Sequence, residues 1–376
     1  MTRNAVVLVS TSYPSAADGS EAAGAFVADF AAELSRRAEV RVVGPGPGEA
    51  YEPGVVPVWR FAGGDRPLSL LSPSRPADWP SIARVLRSMA RQTRAACADG
   101  RVAHLLALWV LPSGWMAMRE AARHGVPYSV WALGSDIWSL GRSPMVRPVL
   151  RHVARGARAA YADGLALADD ATAITGRSFA FMPSCRSWGD APVPPKRERA
   201  PYRLLFLGRW HPNKGIDLLL DALALLDDAA WSRIESVRIE GGGPMEPLVR
   251  ERCGALRAAG RPVIDGTFLD RTQAAAALGW ADRLLLPSRI ESIPLIFSDA
   301  MHFRVPVVAM PVGDLPGLVA EGSGFLASEV TACAYGTAIF ASLQDAVAVR
   351  IDQSADKRFS TSAVVETFRR EVLGLC

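Results

Sequence analysis

Apolar and polar positions along this chain follow two rhythms. Short β-branched runs bounded by turn residues alternate with longer stretches whose apolar residues recur at three- and four-residue spacing. In the first half this pattern predicts a strand over Ala5–Ser10, a helix over Ala22–Arg37 and a strand over Val40–Val43. Further on it predicts a strand over Leu105–Val110, a helix over Ser113–His124 and a strand over Tyr128–Ala132. The segment 188–201 is proline-rich, charged and aperiodic, and reads as a linker. Beyond it the alternation restarts. Tyr202–Leu207 reads as a strand, and Ile216, Leu219, Leu220, Leu223 and Leu226 repeat at helical spacing. Val237–Glu240, Pro262–Ile264, Arg283–Leu286 and Val305–Ala309 supply further strands. Alternation of this kind is the signature of parallel α/β sheets. A length of 376 residues also exceeds what one core usually serves. The expected architecture is two Rossmann-like domains, 1–187 and 202–358, facing each other across a cleft. Their ligands belong at the carboxyl ends of the strands.

Composition narrows the class. With 49% apolar and 21% charged residues, the chain fits a soluble globular protein rather than a fibrous or disordered one. The most apolar stretch, Val102–Met118, is interrupted by His104, Pro112, Ser113 and Gly114, and is too short to cross a bilayer. Ala5–Ser10 is too short for a secretory signal. Five cysteines (Cys97, Cys185, Cys253, Cys333 and Cys376) lie far apart without C-x-x-C spacing. They argue against a disulfide framework or a zinc site and for the cytoplasm. The net charge of +4 is unevenly spread: residues 1–190 hold 21 arginines against 16 acids, and the remainder 21 Lys+Arg against 22 acids. That excess is too small for nucleic-acid binding and no base-reading motif accompanies it. A weakly basic face of the first domain beside an anionic membrane or a phosphorylated substrate stays open.

Chemistry concentrates at strand ends in the second half. Phe206-Leu-Gly208-Arg209-Trp-His-Pro-Asn-Lys214-Gly215 runs from a strand into a helix. Gly208 is expected to let the chain leave the strand tightly. Arg209 and Lys214 place two cations beside a helix amino end, a place to hold a diphosphate. The chain has only three lysines (Lys196, Lys214, Lys357) against 39 arginines, so a lysine here suggests a need for a compact ammonium. A second motif, Leu286-Pro-Ser-Arg-Ile-Glu291-Ser-Ile-Pro294-Leu295, continues to Asp299. Pro294 suits a first helical position, and the free amides there would face an anion. Glu291 beside phosphates makes sense if it meets sugar hydroxyls; the alternative is a helix cap. Asp299 is as readily a solvated side chain. Glu240-Gly-Gly-Gly243-Pro244, Asp265-Gly-Thr267-Phe268 and Pro311-Val-Gly313-Asp314 are glycine-bearing turns after strands, individually weak signals.

Taken in order across 202–326, these motifs resemble the carboxyl-terminal domain of retaining glycosyltransferases of family four, which have the GT-B fold. The resemblance implies that Arg209 and Lys214 bind the donor diphosphate, that Glu291 holds the donor sugar's hydroxyls and that Asp299 reaches ribose hydroxyls. Gly208, Gly243, Thr267, Pro294 and Leu295 would complete the donor site. In the first half, Tyr13-Pro14, Gly24-Ala-Phe26, Leu111-Pro-Ser-Gly114 and Gly134-Ser135-Asp136 are similar to the family's strand-end loops. Gly24 and Asp136 would lie on the acceptor side. Many members have a histidine before the Gly-Ser/Thr-Asp; here it is Leu133. What that histidine supplies must then come from backbone amides or from Asp136. The last stretch, 359–376, resembles the terminal helix that packs back on the first domain.

The chain contains no Asp-x-Asp pair. Fixed cations and helix amides must therefore absorb the leaving-group charge. The expectation is metal- and cofactor-independent transfer, with retention, from a nucleotide-diphosphate sugar to a hydroxyl of a sugar or lipid-linked acceptor. His211 lies in the phosphate motif, but a lone loop histidine is more often a surface residue. Two arginine stripes, Arg84/Arg87/Arg91/Arg94 and Arg147/Arg151/Arg155/Arg158, read first as solvated helix faces and second as contacts to an anionic membrane. Competing readings are a nucleotide-sugar epimerase of the same fold and a non-catalytic partner of another transferase.

Overall fold

A computed structural model describes residues 4–15, 24–64, 68, 71, 75–344, 351 and 358–374. Ala22 of the first predicted helix, Lys357 and Cys376 lie outside the described residues. The chain divides into two compact units, 1–187 with 361–376, and 188–360.

Among the described residues, unit 1 builds an eight-stranded sheet in the order β3-β4-β2-β1-β5-β6-β7-β8. The central strands are β1 (Ala5–Ser10), β2 (Glu39–Gly46), β5 (Val102–Leu108) and β6 (Tyr128–Ala132). They pair in parallel. Toward one edge lie β4 (Val58–Ala62) and the antiparallel β3 (Ala50–Glu52); toward the other lie β7 (Ala160–Ala162) and β8 (Ala180–Phe181). The central strands are buried along almost their whole length, so they read as continuous apolar runs. Helices α1 (Ala25–Ser35), α2 (Trp79–Cys97), α3 (Ser113–His124), α4 (Ser135–Trp138), α5 (Arg147–Gly156) and α6 (Leu165–Thr175) connect them. The strand expected to reach Val110 stops at Leu108, because Trp109 adopts φ 72°, a left-handed backbone that no strand continues through.

Unit 2 orders its strands β11-β10-β9-β12-β13-β14, all parallel. They are β9 (Tyr202–Arg209), β10 (Ile234–Gly242), β11 (Val263–Asp265), β12 (Arg283–Leu286), β13 (Val307–Ala309) and β14 (Gly324–Leu326). Numbered within the unit this is the 3-2-1-4-5-6 order of a doubly wound sheet. Its helices are α7 (Ile216–Leu225), α8 (Asp228–Trp231), α9 (Glu246–Ala258), α10 (Arg271–Trp280), α11 (Leu295–His302), α12 (Leu315–Leu318) and α13 (Ala332–Ser342). Leu219, Leu220 and Leu223 of α7 pack into a core with Phe206, Ile239, Val249 and Tyr335.

The closing helix α14 (Thr361–Phe368) belongs to unit 1, where Phe368 meets Phe30 edge-on at 5.7 Å. Just beyond it, Glu371 accepts a 2.8 Å bond from the buried hydroxyl of Tyr161.

The segment read as a linker is not a free tether. Lys196 donates to the carbonyls of Leu278 and Gly279 at the end of α10, both at 2.9 Å. Burial pushes its ammonium down to about 8. The amide of Arg197 donates to Asp282 at 3.0 Å, and the indole of Trp188 is buried in unit 2. Composition suggested exposure; the Lys196 ammonium and the Arg197 amide instead satisfy carbonyl and carboxylate oxygens that the folded unit would otherwise leave bare.

Candidate functional site

The switch point of unit 2 lies between β9 and β12, the neighbours from which the sheet winds in opposite directions. The loop after β9 carries Lys214, and the loop after β12 carries Glu291. Several contacts lock these loops together. Gly215 adopts φ 66°, and a Cβ there would stand 1.8 Å from the carbonyl oxygen of Pro287. The Arg289 amide donates to Asn213 O at 2.9 Å, and its guanidinium to Pro212 O at 2.7 Å. The same guanidinium forks onto both carboxylate oxygens of Asp217 at 2.7 Å, holding that carboxyl below the usual range.

With the loops fixed, the Lys214 ammonium donates to Glu291 Oε1, which also accepts from Ser288 Oγ at 2.8 Å. The lysine side chain is 36% exposed and the glutamate 10%. Two residues 77 positions apart thus share one site. The loop after β13 closes on the same place: at Gly313 (φ 55°) a Cβ would lie 2.2 Å from Glu291 O. Arg209 ends β9 in register with Gly242, is exposed, and forms no ion pair among the described residues.

The glycine-rich strand end of β10 is stitched to the loop after β9. Trp210 N donates to Gly242 O at 2.8 Å, and Met245 N to Trp210 O at 3.1 Å. The glycine requirement sits elsewhere than expected. Gly208 is ordinary strand, because β9 runs on through Arg209, and its position would admit a Cβ at 3.5 Å from Phe206. The constrained positions are Gly241, whose Cβ would fall 1.9 Å from Gly208 O, and Gly243 at φ 147°, 2.7 Å from Trp210 O. Only Gly243 lies in the turn; Gly241 and Gly242 are in the strand. Thr267 is exposed, and its carbonyl accepts from Gly241 N at 3.0 Å.

Other expected residues are placed differently. Pro294 is extended at ψ 135° and precedes α11 rather than opening it, so the first-turn amides are those of Leu295 and Ile296. Asp299 is 1% exposed and accepts from Trp188 Nε1 at 2.8 Å. In place of an open carboxylate for ribose hydroxyls, the structure has one enclosed beside an indole. His211 caps the turn Pro212–Lys214, its Nδ1 accepting from Asn213 N at 3.2 Å, which is a structural task.

In unit 1, Gly24 (φ 76°) opens α1, and a Cβ there would lie 2.6 Å from Ser12 O. Asp136 is buried and accepts from Val110 N at 2.6 Å and Leu133 N at 3.3 Å. It ties the ends of β5 and β6 together. With both oxygens engaged, it is not the open group that would replace the missing histidine. Burial pushes its carboxyl up to about 6 against those bonds. In the second arginine stripe, Arg147 donates to Gly141 O, Arg151 to Ile174 O and Arg155 to Thr175 O. In the first, Arg91 pairs with Glu49 and Arg94 approaches Glu120 at 3.9 Å. Most of the stripe arginines therefore satisfy local acceptors.

Sequence reasoning passed over Arg289 and Ser288, the residues that hold Asp217 and Glu291. Their signal was present: a hydroxyl three residues and a cation two residues ahead of the glutamate in one strand-end loop.

The second unit is thus a doubly wound α/β unit with a cation and a carboxylate paired at its switch point. Residues 201–345 match the family model described as glycosyl transferases group 1. D-inositol 3-phosphate glycosyltransferase of Jonesia denitrificans is 36% identical over 131 residues, which are 33% of this chain and 30% of that protein. The chain thus spans about 30% of the length of that curated relative. Among solved structures, sucrose-phosphate synthase of Thermosynechococcus elongatus superposes with a TM-score of 0.73 at 16% identity, covering 99% of this chain and 100% of that one. Anabaena HepE in complex with UDP-glucose gives 0.70 at 16% identity, covering 99% and 100%. The second unit therefore carries a glycosyl transferases group 1 domain, and the two parallel-sheet units have the GT-B fold.

Proposed function

We propose that the protein is a retaining glycosyltransferase that moves a sugar from a nucleotide-diphosphate donor to an acceptor hydroxyl. The observation that carries this reading is the meeting of Lys214 and Glu291 at the switch point of unit 2. Cleaving a sugar–diphosphate bond puts negative charge on the leaving oxygen and cationic character on the sugar. Lys214, Arg209 and the amides of Leu295 and Ile296 offset the first. Glu291 holds the sugar's hydroxyls, and Gly243 and Thr267 line the nucleotide side. An arriving diphosphate takes Lys214 from Glu291 and frees that carboxylate for the sugar. Retention follows if the acceptor hydroxyl attacks on the face the diphosphate leaves. The relative from Jonesia denitrificans is named a glycosyltransferase, and the HepE structure holds UDP-glucose, which supports a nucleotide-sugar donor.

The acceptor is a sugar or lipid-linked hydroxyl taken by unit 1. Met145, two residues before the basic helix α5, and Val149, in its first turn, are exposed, which supports contact with an anionic bilayer at the cytoplasmic face. No helix among the described residues is long and apolar enough to cross a membrane.

The test is incubation with a panel of nucleotide sugars, with and without acceptor glycosides and lipid extracts. Sugar transfer with retained anomeric configuration is the expected result. A new nucleotide sugar formed from donor alone would make the protein an epimerase. Binding without turnover under any condition would make it a non-catalytic partner.

A further inference from the structure

We infer that the outer face of α7 and α9 is the surface through which two copies of this chain associate, the Leu225 side chain of each entering an apolar cavity of the other.

The cavity, about 300 Å³, lies between the carboxyl-terminal halves of α7 and α9 and is lined by Leu220, Leu223, Trp231 and Leu256. The carbonyls around it are already engaged. Leu226 N donates to Leu223 O at 3.3 Å, Ala259 N to Ala255 O at 3.1 Å and Arg261 N to Leu256 O at 3.0 Å. Such walls suit an apolar guest rather than a polar one. Leu225 stands at the rim. Helix α7 buries the row Ile216, Leu219, Leu220 and Leu223, and Leu225 falls outside that row, 64% exposed and one turn beyond Asp221 on the outer face. A leucine projection thus sits beside a leucine-lined hollow on one surface. That is what a two-fold contact requires, since each copy gives what it receives.

The charges at the rim select the same partner. Arg252 pairs with Asp221, and Arg261 with Asp228 at 2.6 Å while lying over the Trp231 ring at 5.5 Å. These four charges sum to zero, so they favour neither an anionic nor a cationic guest. What they complement is a surface with both signs arranged around an apolar centre. A second copy turned about a two-fold axis presents that surface, with arginines of one copy set against aspartates of the other. The Asp228 side chain is 90% exposed and so is open to a second guanidinium. Leu225 is the last residue of α7, about 14 Å along the helix from its start beside the Lys214 loop, so association here leaves the candidate site free.

The test is sedimentation velocity of wild type, Leu225→Asp and Ala255→Trp over a micromolar concentration series, with circular dichroism of each protein. The first variant removes the projection; the second fills the cavity from an exposed wall position and keeps Leu225. Wild type should sediment as a dimer. The dissociation constant should rise at least about 25-fold in each variant, because truncating an anchor costs about fivefold or more and a two-fold contact contains it twice. Nucleotide-diphosphate affinity should be the same in all three proteins. A wild type that stays monomeric throughout the series would overturn the inference, as would a dimer that either well-folded variant keeps at wild-type affinity. If Ala255→Trp proves misfolded by its dichroism, Leu225→Asp, at an exposed position, decides alone.

Discussion

Substituting Gly215 by alanine should uncouple the two halves of the candidate site without touching a charged group. At φ 66° an alanine first pays the left-handed backbone cost of about 1–2 kcal/mol. Its Cβ would then stand 1.8 Å from Pro287 O, and real Cβ contacts essentially never fall under 3.0 Å. The obstacle is backbone, so the loops after β9 and β12 must separate by at least about 1.2 Å. Lys214 and Glu291 ride on those loops, and a misplacement of about 1 Å at a reacting centre costs on the order of 100-fold in rate. Gly260→Ala is the control: its φ is 77°, but nothing lies within 4 Å of the added methyl. Thermal melts, calorimetry with nucleotide diphosphates and donor turnover would be measured for both. The control should lose only the backbone cost and keep full activity. Gly215→Ala should melt lower than the control and lose at least about 100-fold in turnover. If it matches the control in both respects, the claim that this contact sets the site's geometry is wrong.

Glu291→Gln removes the charge that neutralises Lys214, so nucleotide diphosphates should bind as well as in wild type or several-fold tighter, while transfer falls by about 100-fold or more; parallel loss of binding and turnover in calorimetry and rate assays would contradict the assignment. Asp136, pushed up to about 6 by burial, binds its proton more tightly folded than unfolded. Its contribution to stability is therefore fully present below about pH 4 and lost, on the order of 3 kcal/mol, as pH rises through about 6. In denaturant titrations at pH 4 and pH 7, wild type should lose stability relative to Asp136→Asn by that order, and a constant or widening advantage would rule this out. Cosedimentation with vesicles rich in anionic lipid should occur at low salt, weaken as salt rises, and diminish in Met145→Ser/Val149→Ser; indifference to the vesicles would remove the membrane from the account.

The parts of the fold legible in the sequence are those where burial on both sheet faces imposes an unbroken apolar run. Ala5–Ser10, Tyr128–Ala132 and Arg283–Leu286 occur at the positions their patterns predict. Ala50–Glu52, Ala180–Phe181 and Gly324–Leu326 are too short to carry a period and went unread. The end of β5 was missed because Trp109 stops it by a backbone angle that no composition rule assigns to tryptophan. At the site, Lys214 and Glu291 were legible one at a time from their turns. Their pairing depends on strand order, which places β9 beside β12, and local pattern says nothing of that. Asp299 illustrates the opposite case. Its spacing from Glu291 suggested a second ligand contact, but its surroundings are set by Trp188, 111 residues earlier.

The most direct measurement is calorimetric titration of UDP, GDP and ADP into wild type and Lys214→Ala. Wild type should bind at least one of the three, and the variant, equally folded by thermal melt, should bind it at least about tenfold more weakly for the loss of one charge-assisted contact. Equal affinity in the two proteins would contradict the placement of the donor diphosphate at Lys214 and the transferase mechanism built on it.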